Sequence, residues 1–432
     1  MIRIFTIGAF LGLTHLCYSQ VYTEKQTRHR FAQLTLGLDF QSSFGGSTKF
    51  IDAQGNTQNI DLINNYSSRF LVGATHFWGH ADLYIAFPLI YPNFEKDNQD
   101  ITAFRGVETV IKYYPYRIEN NKIRPYIGTS LAPFYFKQTN NSRDYSNGPE
   151  LNHTSFPILG GVTFNSKNHL IELGVAWNYQ NNQDYYISRS QIEEIRTPPI
   201  YATLSYRYML ETTMKLEKDW ESGKTKEVTE ALAEKGKLNG FYLGAGISSA
   251  FWLKESNYNT NVRPYIEKFN TSLIIHDFTL GYYLHKPDLN LAIGSRRYGS
   301  YTSSYGVIQG LRRKSLLFEA TKALFDYHGF VPFIGPAVSY ENLSFWENFE
   351  GSRTHNIEEK KIGYGLTFGW DIRPDRIRSW VLRTNFRWYP NLFVEVEPNK
   401  KVSFDNLEFN FIQLIVYPNR MIKRKQNRKQ RL

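Results

Sequence analysis

The sequence predicts an all-β protein, a transmembrane antiparallel up-and-down β-barrel of about sixteen strands arranged in two similar halves. Three observations predict it. Apolar and polar residues alternate with period two over segment after segment. The connections between those segments alternate between long polar stretches and tight turns. And Pro125-Tyr126-Ile127-Gly128 returns as Pro332-Phe333-Ile334-Gly335, each time at the start of an alternating run.

The chain opens with MIRIFTIGAFLGLTHLCYSQ. Arg3, the apolar run Ile4 to Leu16 and the small residue Ser19 form a secretory signal over 1–19, to be removed before Gln20. Cys17 is the single cysteine of the chain, so the mature protein is expected to carry no disulfide. No run of about 18 apolar residues follows, which excludes a spanning helix. Yet 16% of residues are aromatic, mostly Tyr and Phe, which suits a barrel with interfacial aromatic girdles.

The first half, 20–210, holds eight expected strands: 30–42, 68–79, 81–92, 104–116, 124–137, 155–165, 169–180 and 198–210. In Phe31–Gln41, Ala32, Leu34, Leu36, Leu38 and Phe40 share one face, and Gln33, Thr35, Gly37, Asp39 and Gln41 the other. In Leu170–Tyr179, Ile171, Leu173, Val175, Trp177 and Tyr179 oppose Glu172, Gly174, Ala176 and Asn178. Long connections fall at 43–67, 93–103, 138–154 and 181–197. Short ones fall at Gly79-His80, Glu119-Asn120-Asn121 and 165–168.

A linker, 211–240, separates the halves. Its centre, Thr225 to Lys235, is rich in helix formers and Gly236 stands where the helix would end. The second half, 241–418, repeats the plan with strands expected at 241–252, 271–284, 288–298, 314–326, 331–344, 361–371, 378–390 and 406–417. Its long connections are expected at 253–270, 299–313, 345–360 and 391–405. Gly161-Val162-Thr163-Phe164 returns as Gly365-Leu366-Thr367-Phe368.

Net charge is +11, and seven of those positive charges sit in the tail 419–432, with no acid among them. The tail is expected to be solvated and to offer a periplasmic contact for anionic lipid heads or peptidoglycan. The body is near neutral, so nucleic acid is not an expected partner.

The alternation, the loop asymmetry and the Pro-Tyr-Ile-Gly strand start resemble the small OmpA/OmpW-like outer-membrane barrels, once per half. The signal ending in Ser19 before Gln20 resembles those of Bacteroidota-type secreted proteins. The resemblance implies insertion in the outer membrane, with its lipid and lipopolysaccharide and the barrel assembly machinery as partners. Tyr417 would close the last strand as the family's terminal aromatic does, but here the basic tail follows it.

Eight strands enclose a lumen that side chains fill, whereas about sixteen leave an aqueous channel. The inward faces carry Gly37, Gly73, Gly106, Gly128, Gly161 and Gly174, and a helical linker divides two complete sets. Two tandem eight-stranded barrels are therefore preferred. A single sixteen-stranded barrel is the alternative.

Candidate site residues are the inward charges Asp39, Asp82, Glu108, Lys112, Glu172 and Arg207. They either line a selective pore or pair with one another inside a closed barrel, since charges out of water need partners. Arg296, Glu319 and Arg383 are their counterparts in the second half, and Lys322, three residues from Glu319, falls on the opposite face of a regular strand unless a bulge intervenes. His153-Thr154-Ser155 is the nearest approach to a hydrolytic dyad, but Glu172 is about a strand length away and cannot orient the histidine. The remaining histidines form no ligand motif, and no phosphate loop is present, so neither metal nor cofactor is expected. The expected function is that of a non-enzymatic outer-membrane barrel with a structural or surface-exposed role. The alternatives are a passive channel and, less favoured, a lipid-modifying enzyme.

Overall fold

A computed structural model describes residues 31–420 other than 63, 91–92, 142–146, 212–223, 267–268, 270–271, 374–378 and 391. The expected signal, 1–19, and tail residues 421–432 lie outside the described residues.

The first half closes into an eight-stranded antiparallel ring. Its members are β1 (Ala32–Phe44), β4 (Asn65–His76), β5 (Ala81–Pro88), β8 (Glu108–Tyr113), β9 (Lys122–Asn140), β11 (Ile158–Ser166), β12 (His169–Trp177) and β15 (Ile200–Glu211). Each pairs with the next, and β15 returns to β1 with Leu38 opposite Tyr206. Above the ring, the long connections fold as hairpins. These are β2 (Ser47–Ile51) with β3 (Thr57–Asp61), β6 (Asn93–Lys96) with β7 (Gln99–Arg105), and β13 (Asn182–Tyr186) with β14 (Ile192–Arg196), while β10 (Leu151–Ser155) pairs with the upper part of β9.

Helix α1 (Lys224–Glu234) follows, and Gly236, at φ +64°, turns the chain out of it. The second barrel is also closed. It runs β16 (Gly240–Trp252), β17 (Ser272–Leu284), β18 (Leu289–Ser304), β19 (Val307–Ala323), β20 (Phe330–Phe349), β21 (Ser352–Ile372), β22 (Trp380–Trp388) and β25 (Asn406–Val416). A short helix α2 (Asn257–Val262) lies between β16 and β17, and the hairpin β23 (Phe393–Glu397) with β24 (Lys400–Ser403) precedes β25. Two barrels, not one of sixteen strands, is thus the architecture.

The expected loops at 299–313 and 345–360 are corrected. β18 and β19 pair without a break up to the two-residue turn Tyr305-Gly306, and β20 and β21 pair up to Glu350-Gly351 with one bulge, at Thr354. Polar residues stand on both faces there, which erases the apolar half of the alternation without ending the strand. The 391–405 connection is likewise a hairpin rather than an open loop.

Burial is inverted relative to a water-soluble domain. In β12, Glu172 is 3% exposed and points inward, while Leu173 is 61% exposed on the outer wall. Arg207 in β15 is 0% exposed, yet its neighbours Tyr206 and Tyr208 stand outside. The repeated Pro-aromatic-Ile-Gly start falls on the fifth strand of each ring. Tyr126 and Phe333 point in, and Ile127 and Ile334 point out. The glycine that follows lies under the backbone of the fourth strand. A Cβ on Gly128 would sit 2.4 Å from the Ile111 carbonyl, and one on Gly335 1.8 Å from that of Ala320.

The two barrels pack side by side in three zones. At the turn end, Phe31 and Trp78 meet Tyr327 and His328 edge to face, and Phe77 meets Phe330 at a tilt. In the middle, Ile85, Phe87 and Val107 pack on Phe251, Phe409 and Phe411. At the hairpin end, the Arg189 guanidinium donates to the Tyr305 carbonyl at 2.6 and 2.9 Å and pairs with Glu350, while the Tyr305 hydroxyl donates to the Tyr186 carbonyl.

Candidate functional site

All six charges singled out from the sequence lie inside the first barrel, and they divide into two closed clusters. In the upper one, Arg69 holds Asp39 through two hydrogen bonds, Nε to Oδ1 at 2.9 Å, and also pairs with Glu108. Arg105 takes the other Glu108 oxygen and donates to the Ser130 hydroxyl at 3.2 Å. In the lower one, Arg207 grips both oxygens of Asp82 at 2.9 and 2.6 Å and reaches Glu172 at 3.3 Å. Glu172 also pairs with Lys112 and accepts the Tyr126 hydroxyl at 2.9 Å. Lys112 lies over the Tyr84 and Tyr126 rings, 4.7 and 4.5 Å from their centroids. Glu108 and Lys112 do share a face, but each finds its partner elsewhere.

The charges in these clusters balance, four carboxylates against three guanidiniums and one ammonium. Fully desolvated ions persist only with such complete pairing. Glycines make the crossing contacts fit. A Cβ on Gly174 would lie 2.2 Å from the Tyr126 hydroxyl, so only glycine lets that side chain cross over β11 to Glu172 on β12.

Sequence reasoning missed Arg69 and Arg105. Arg69 shares the parity of Gly73 on β4, so extending the alternation upward would have found it. Arg105 was hidden because Gly106 and Val107 interrupt the run between β7 and β8, and that interruption lets Arg105 and Glu108, three apart, both face inward.

The second lumen is built the same way. Arg387 joins Asp277 at 2.8 Å to Glu319, whose carboxylate also accepts the Thr367 hydroxyl at 2.6 Å. Arg296 stands 2.8 Å from Asp277 as an ion pair without an aligned hydrogen bond. Arg313 holds Glu341 at 2.8 and 2.6 Å and contacts Glu408 at 3.3 Å. Arg383 pairs with Asp371 at 2.7 Å. Arg296, Glu319 and Arg383 thus all face inward, while Lys322 is exposed and donates to the Pro287 carbonyl at a turn. Asp277, Arg313, Glu341, Arg387 and Glu408 were not singled out from the sequence.

Two polar clusters lie beyond the barrel walls. At the hairpin end, Glu347 gathers Gln309 at 2.9 Å, Arg263 at 3.1 Å and the Thr354 and Tyr258 hydroxyls. Burial pushes its carboxyl upward, but the hydrogen bonds from Gln309 and Arg263 outweigh that and hold it below the ordinary value. At the turn end, hydrogen bonds from Lys122 and Arg117 bring Glu119 down to about 2.

Of the remaining candidates, Ser155 is buried and its hydroxyl donates to the Ala132 carbonyl at 3.2 Å. The side chain of His153 lies outside what the structure describes. The first charged residue of the basic tail is corrected: Arg420 is not solvated. It is 5% exposed, stacks 3.9 Å from the Tyr417 ring centroid and donates to the Leu238 carbonyl, closing the floor of the second barrel.

No family model matches the chain, and no curated protein matches it in sequence. Among solved structures, Neisserial surface protein A is similar at 16% identity and TM-score 0.29, covering 42% of this chain and 97% of its own. Ail of Yersinia pestis is similar at 9% identity and TM-score 0.25, covering 41% and 96%. A loop-deleted OmpT, an outer membrane protein of Vibrio cholerae, covers 90% of this chain and 99% of its own at 8% identity and TM-score 0.17. The fold assignment rests on the chain's own strand pairing, which closes two antiparallel eight-stranded barrels in one polypeptide.

Proposed function

We propose that the chain is an integral outer-membrane protein, a tandem duplication that crosses the bilayer as two filled barrels and serves a non-enzymatic structural or surface role. The observation that carries this reading is the inversion of burial. Rings of Leu, Ile, Val and Phe face outward, where only hydrocarbon would favour them, and paired ions close the interior. The short turns would lie in the periplasm and the hairpins at the cell surface. The duplication is supported by the matching fifth-strand glycines, Gly128 and Gly335, and by Gly161 and Gly365, each tight against the carbonyl of the following strand. Lipid and lipopolysaccharide on the walls, and the assembly machinery during insertion, are the partners this reading requires.

A channel would need a water-filled lumen, and the cross-lumen ion pairs argue against one. Single-channel recording of the refolded chain in a planar bilayer tests this. Silence is expected, and steady porin-sized openings would overturn the filled-barrel reading. The lipid-modifying alternative is disfavoured because the Ser155 hydroxyl is engaged by backbone and Glu172 by Lys112 and Arg207. Unchanged membrane lipid profiles in Ser155→Ala are the expected result. The outer hairpins are then the surface for any recognition, and exchanging them for neutral ones should abolish binding without altering insertion.

A further inference from the structure

Between the turn-end aromatic cluster and the mid-wall contact, a cleft opens between the two barrels, and Ile85 and Phe411 of the mid-wall contact line its inner end. One side is the outer wall of the first barrel, with Leu34, Val72, Ala74 and Ile85. The other is the outer wall of the second, with Trp370, Leu382 and Phe411. The second wall is shaped by a bulge. Ile412 pairs with Ile247 but Asn410 with Ser248, so Phe411 is the extra residue, and the Thr384 hydroxyl donates to its carbonyl at 2.9 Å. One polar side chain enters the cleft at its turn end without a partner. His76 is 9% exposed and its Nδ1 makes no hydrogen bond.

We propose that the cleft holds one phospholipid of the periplasmic leaflet, an acyl chain lying between the two barrels and its ester region at the His76 imidazole. The inference rests on the membrane reading above. The cleft continues an existing interface between the barrels. Its walls are predominantly apolar, with His76, Thr109 and Thr384 among the polar exceptions, so an apolar occupant suits it better than water. An acyl chain is the one medium at that depth that fills such a space. His76 stands at the end of β4, one residue from the turn, at the level of a headgroup-proximal ester rather than of the chain terminus. A periplasmic-leaflet lipid reaches that position sideways, through the cleft's open mouth, and lipopolysaccharide on the opposite leaflet does not.

The test reconstitutes the full chain in vesicles of phosphatidylethanolamine and phosphatidylglycerol, extracts it into mild detergent and counts bound phospholipid by native mass spectrometry. One phospholipid per chain is expected for the wild type and for Leu280→Trp, on the outer wall of the second barrel and outside the cleft. Ala74→Trp, which fills the cleft, should lower retention at least fivefold. His76→Phe should lower it at least twofold and His76→Gln restore it. Val72→Phe supplies the same readout if Ala74→Trp fails to insert. A wild type that floats with the vesicles but emerges free of lipid overturns the inference, as does equal retention in the filled variants. A chain that never floats with vesicles overturns the membrane reading itself.

Discussion

Arg207 and Asp82 meet across the first barrel through two parallel hydrogen bonds, although 125 residues separate them in sequence. They stand on β15 and β5, which are not paired neighbours in the ring. The pair therefore ties opposite walls, and Glu172 on β12 and Lys112 on β8 complete the tie.

Breaking that tie from one side is expected to be costly. Arg207→Met leaves Asp82 without its fork and should destabilise the barrel by about 3–5 kcal/mol. The double variant with Asp82→Leu removes the orphaned charge and should recover at least half of the loss. Urea unfolding in vesicles, followed by the heat-dependent shift in gel mobility, reads both.

The glycines of the fifth and sixth strands should behave differently from one another. Gly335→Ala drives a Cβ to 1.8 Å from a backbone carbonyl and should prevent closure or cost at least about 3 kcal/mol. Gly160→Ala faces open space and should change stability by no more than about 0.5 kcal/mol. Comparing Gly160→Ala with Gly161→Ala, adjacent residues on opposite faces, isolates the effect in one strand.

The Glu347 cluster gives an acid-sensitive hairpin end. Its folded carboxyl value lies below the ordinary 4.5, so its stabilising contribution is complete above 4.5 and is lost as the pH falls through the lowered folded value. Protease cleavage around α2 should be slow at pH 7 and rise as acid protonates Glu347. Glu347→Gln should be cleaved faster already at pH 7 and lose this acid step.

A gain is also expected. Lys167 sits in the short turn between β11 and β12 at φ +55°, a conformation that side chains other than glycine resist. Lys167→Gly should stabilise the first barrel by about 1 kcal/mol, measured as a higher urea midpoint with an unchanged slope.

Sequence alone reached the strand count because period-two patterning survives wherever one face meets hydrocarbon and the other a packed lumen. It lost the strands above that zone. Gly299 to Ser304 and Phe345 to Phe349 continue β18 and β20 with glycine, polar or aromatic residues on both faces, so the pattern no longer reports the pleat. Of the lumen charges, those on unbroken strands were legible by parity, Asp82 and Arg207 among them. Arg105 was not, because the interruption at Gly106-Val107 shifts the phase. No local pattern tells that Arg69 belongs to Asp39 and Glu108, since those pairings form only when the ring closes.

Each ring is sealed by its own first and last strands, β1 with β15 and β16 with β25. The seam of the first barrel joins Ala32–Phe44 to Ile200–Glu211, and all its strands precede α1. The N-terminal unit can thus finish its hydrogen-bond circuit before any residue of the other is delivered. Assembly becomes two successive closures with loop-closure entropy confined to each half, rather than one closure spanning the whole chain.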